Sequence, residues 1–63
     1  MKTLKDFIFK YPNNMELGGA LRRDFALIED DHTRVLVMSS LTVYPNDIDL
    51  GKAIRESYYS ANQ

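Results

Sequence analysis

The sequence predicts an α+β fold: a strand–helix unit used twice, β-α-β-α, with two amphipathic helices packed on a small sheet and homodimerisation completing the core. Three observations lead there. Residues 11–25 (YPNNMELGGALRRDF) and 44–58 (YPNDIDLGKAIRESY) match without a gap at Tyr, Pro, Asn, Leu, Gly, Ala and Arg. A fixed offset of this kind marks a duplicated supersecondary unit. Behind each Pro-Asn pair the apolar residues fall at helical spacing. In front of the second pair lies VLVMSSLTVY, rich in β-branched residues.

Residues 3–11, TLKDFIFKY, read two ways. Leu4, Phe7, Ile8 and Tyr11 have helical spacing, and Thr3 with Asp6 looks like a cap. Phe7, Phe9 and Tyr11 alternate as a strand would. The duplication favours a strand, because both copies of one unit should begin alike.

The first helix is expected over 14–28. Asn13 suits the N-cap, since its short side-chain oxygen can accept from the N2 or N3 amide, and Glu16 complements the helix dipole. Leu17, Leu21, Phe25 and Ile28 share one face. Residues 29–33, EDDHT, form a polar connector. A competing hairpin would pair 25–29 with 34–38 around it. The second strand is expected over 35–44, with a kink at Ser39-Ser40. The second helix follows over 47–60, with Asn46 as cap and Leu50, Ile54, Tyr58 and Ala61 inward.

The chain of 63 residues makes a single domain, with repeat one at about 1–30 and repeat two at about 34–63. Domains this small are marginal and usually need a staple. There is no Cys and one His, so neither a disulfide nor a His-based metal cage is on offer. A homodimer is the remaining staple. The net charge of −1 gives no electrostatic signature for nucleic acid or membrane. No secretory leader or long apolar run is evident, which suggests a cytoplasmic protein.

The catalytic inventory is missing: no nucleophile–His pair with an orienting acid and no metal set. No enzyme activity and no cofactor are therefore expected. His32 reads as a solvated residue of the acidic turn. Leu17/Leu50, Ala20/Ala53 and Leu21/Ile54 need only a place in the core. The paired residues without so simple a reason are Gly18 and Gly51, which cost helix stability, and Arg22 and Arg55, four residues on. Either a close approach of backbones or a ligand would explain the glycines. Either an ion pair or an anionic partner would explain the arginines. Tyr59 lies off the core face, a setting in which Tyr often anchors interfaces. The expected function is a small non-enzymatic interaction module that binds another protein as a homodimer, through Gly18, Arg22, Gly51, Arg55 and Tyr59. The alternative is a small dimeric nucleic-acid-binding regulator using Arg22, Arg23, Lys52 and Arg55.

Overall fold

A computed structural model describes residues 3–61, and among them there is no strand. The chain is a four-helix bundle: α1 (Leu4–Lys10), α2 (Asn14–Asp24), a single 3-10 turn (Phe25–Leu27), α3 (Asp31–Val43) and α4 (Asp47–Ala61). This corrects the expected α+β class. Both segments expected to be strands are helices.

The caps decide the first segment. The Thr3 hydroxyl accepts from the Asp6 amide at 3.1 Å, and the Asp6 carboxylate accepts from the Thr3 amide at 3.2 Å. This reciprocal capping box satisfies two amide donors that a helix start leaves over. Phe7 and Ile8 are buried and Phe9 is exposed, which a helix allows and the strand alternation does not.

In α3 the Asp30 carboxylate accepts from the Thr33 amide at 2.8 Å and from the Thr33 hydroxyl at 2.6 Å. These two bonds hold the Asp30 pKa below the ordinary carboxylate range. Val35, Val37, Thr42 and Val43 each give up only a few tenths of a kcal/mol in a helix, so caps and packing override their β-propensity. Val37, Leu41 and Tyr44 turn inward at i, i+4 and i+7. The helix runs through Ser39-Ser40, and the Ser40 hydroxyl donates back to the Leu36 carbonyl at 3.0 Å. No hairpin forms over 25–38.

The repeat is real at the level of atoms. Asn13 Oδ1 accepts from Met15 and Glu16 amides at 2.8 and 3.2 Å, and Asn46 Oδ1 accepts from Ile48 and Asp49 amides at 2.8 and 3.2 Å. The copies part after position 24. There α2 stops, and the 3-10 turn brings Ile28 back into the core. At the matching place α4 continues straight to Ala61.

The core is Phe7, Ile8, Leu17, Ala20, Leu21, Ile28, Val37, Leu50 and Ile54, with Tyr11, Phe25, Leu41, Tyr44 and Tyr58 packed around it. It closes within one chain. A folded monomer of 7.3 kDa exposes about 4,160 Å² by size scaling, and this one exposes 4165 Å². All nine buried core side chains come from this one chain.

Candidate interaction site

The duplicated glycines sit where α2 and α4 cross. A Cβ built on Gly18 would lie 1.9 Å from the Asp47 carbonyl oxygen, and one on Gly51 would lie 1.9 Å from that of Asn14. Neither glycine has positive φ, so space and not backbone conformation requires them.

The duplicated arginines extend the same crossing. Arg22 Nε donates to Asp47 Oδ1 at 2.8 Å, and its two terminal nitrogens donate to the carbonyls of Leu41 (3.4 Å) and Tyr44 (2.9 Å). Arg55 repeats this on Asn14 Oδ1 (2.8 Å) and on the carbonyls of Ile8 (3.4 Å) and Tyr11 (2.7 Å). Each guanidinium therefore satisfies carbonyls that the end of the other copy's first helix leaves over. One clamp holds a carboxylate and the other a neutral amide in the same geometry. Hydrogen-bond direction, more than net charge, is what both copies share.

The two glycines thus meet at the crossing, whereas each arginine binds separate partners in the other copy, Arg22 at the end of α3 and Arg55 at the end of α1. Tyr59 stands apart on α4, half exposed, its ring edge-on to Tyr58 at 5.4 Å between centroids. Arg23 pairs with Asp24 at 3.0 Å, while Lys52 is exposed beside Asp49 and Glu56. His32 is exposed on the first turn of α3. Among the described residues no cluster of His, Cys, Asp or Glu could hold a metal.

Two surface features escape a reading of the motifs alone. The first is the outer face of α3. Val35, Leu36, Met38 and Val43 are 57%, 54%, 47% and 66% exposed, and no residue from 35 to 44 carries a charge. The arginine clamps fix the register between copies, placing Ile8 and Tyr11 opposite Leu41 and Tyr44. By that register Lys5, Asp6 and Lys10, all exposed on α1, become Met38, Ser39 and Val43 on α3. A comparison of 3–11 with 36–44 carries this signal in the sequence itself.

The second feature is an apolar groove of about 470 Å³ between α3, α4 and the start of α1. Leu4, Val37, Ile54, Tyr58 and Ala61 line it together with Ser40. In the register of the clamps, Ser40 stands where the first copy has Phe7, which is fully buried. The second copy also has no residue that curls back as Ile28 does. The groove therefore borders the two positions, Ser40 and Ala61, whose counterparts Phe7 and Ile28 are buried in the first copy.

No protein-family model, curated protein or solved structure matches this chain. No helix among the described residues is long and apolar enough to cross a membrane.

Proposed function

We propose that the chain is a non-enzymatic interaction module that binds another protein through the exposed face of α3. One observation carries this reading. The same structural position is charged on α1 and apolar on α3 at Lys5/Met38 and Lys10/Val43, although both members of each pair face solvent. Core packing asks for neither residue type there, so the apolar choice on α3 reflects a requirement outside the fold. Contiguous exposed apolar surface with a polar rim is characteristic of protein-binding sites.

A nucleic-acid reading would need Arg22, Arg23, Lys52 and Arg55 on one free basic face. Arg22 and Arg55 are engaged within the bundle and Arg23 is paired with Asp24. That reading has correspondingly less support, since phosphate contacts dominate such affinity.

The test grafts the charges of α1 onto α3: Met38→Lys, Ser39→Asp and Val43→Lys together. A tagged wild-type chain should retain a specific protein from its native host, and binding to that protein, once purified, should fall at least about tenfold, or 1.4 kcal/mol, in the triple variant. Equal retention by both chains would sink the proposal. Salt-sensitive binding of random-sequence DNA or RNA, lost in Arg23→Ala/Lys52→Ala, would shift support to the alternative.

A further inference from the structure

We infer that the groove between α1, α3 and α4 is a receptor for an aromatic ring, and that its occupant is Phe9 of a second copy of this chain. The inference rests on the reading of the chain as a protein-binding module; the groove shares Leu36 with the α3 face but not Met38, Ser39 or Val43.

The internal duplication shows what the groove accepts. In the first copy the counterparts of Ser40 and Ala61 are Phe7 and Ile28, both essentially fully buried. In the second copy Ser40 replaces the ring, and its hydroxyl is satisfied by the Leu36 carbonyl. The Ser40 hydroxyl therefore makes no demand on a ligand, and the polar residues Thr3, Lys5, His32, Thr33 and Ser57 border the apolar wall. A groove lined by Leu4, Val37, Ile54 and Tyr58 offers an apolar side chain the environment Phe7 has.

The chain supplies a matching ring. Phe9 is 64% exposed, and the position equivalent to it on α3 is Thr42. The two copies thus differ in opposite senses: the first has an outward phenyl and a buried phenyl at Phe7, the second has Thr42 and Ser40 at those places and a groove beside them. Lys5 links the two features. Its ammonium lies 5.6 Å from the Phe9 ring centroid, and it also lines the groove. Ring and groove therefore share one face of the molecule. That placement suits an isologous twofold pair, in which each chain inserts its ring into the other and neither site stays open. A small ring-in-groove contact falls short of the ~800 Å² per partner of a standard interface, so the pair is weak and association is concentration-dependent.

The experiment is sedimentation velocity on the full chain from about 5 to 500 μM, the range in which weak pairs form. The wild type should move toward twice its 7.3 kDa mass across the series. Phe9→Thr, which installs the residue of the other copy, should weaken association at least about tenfold, one decade of dissociation constant. Ser40→Phe should abolish it and raise the melting temperature, because the groove is then filled from within. Phe9→Thr carries the test if Ser40→Phe does not fold, since Phe9 lies outside the core. A wild type that stays monomeric to 500 μM, masses that grow past the dimer, or a dimer indifferent to Phe9→Thr would each overturn the inference. The charge graft on α3 should leave the dimer intact. Loss of partner binding with a persistent dimer therefore separates the two proposals.

Discussion

At the scale of single residues, neighbouring glycines with the same composition have opposite meanings. Gly18 faces a backbone carbonyl at a distance no Cβ can occupy, whereas a Cβ on Gly19 would meet only the Asp47 carboxylate at an ordinary 3.6 Å. Gly18→Ala is expected to cost about 3 kcal/mol or more, because two helices must separate. Gly19→Ala should gain about 0.5–1 kcal/mol from helix propensity. Urea titrations of the two variants would check both, and a similar midpoint for each would contradict the crossing geometry. The arginine clamps invite the same kind of contrast. Asp47→Asn gives the second copy what the first already has in Asn14, and should change stability by no more than about 0.5 kcal/mol, as for a partly exposed ion pair. Arg22→Ala removes the donor to the Leu41 and Tyr44 carbonyls and should cost about 1–2 kcal/mol. A larger loss from Asp47→Asn than from Arg22→Ala would show that charge, not direction, holds the clamp. The duplicated Gly and Arg were legible in the sequence as positions under constraint. Which constraint applied was not, because the partner of each lies in the other copy, 19 to 47 residues away along the chain.

At the scale of elements, α2 and α4 were readable from Asn caps and apolar spacing, and α4 matches its expected span closely. The end of α2 was not. Phe25 and Ile28 continue the helical spacing of Leu17 and Leu21, yet the chain turns after Asp24 and still buries Ile28. Both α1 and α3 were misread for a single reason. Repeat logic correctly requires them to be the same kind of element, but the β-branched residues of 35–44 point to the wrong type. The Thr3–Asp6 box and Asp30 were the better guides, since a cap acts on the backbone directly while β-propensity reflects context. The exposed half of α3 bears on this too. Replacing Met38, Ser39 and Val43 by Lys, Asp and Lys removes one β-branched residue and touches no core position. Its melting temperature should therefore match or exceed that of the wild type, and a large drop would mean those side chains serve the fold after all.

At the scale of the molecule, the repeat closes its own core by setting copy against copy. The closing contacts are reciprocal. Arg22 of the first copy finishes the end of α3 in the second, and Arg55 of the second finishes the end of α1 in the first. Each glycine likewise admits the opposite helix. Neither half thus contains the groups that complete its own leading helix. Separate peptides 1–29 and 30–63 should each show little helix by circular dichroism, and an equimolar mixture should recover it; full helicity in either peptide alone would refute this. The sequence repeat is consequently not a self-sufficient folding unit. Two unlinked copies of such a unit would have to meet in solution, and the connector between them supplies by covalent linkage what that encounter would need in concentration.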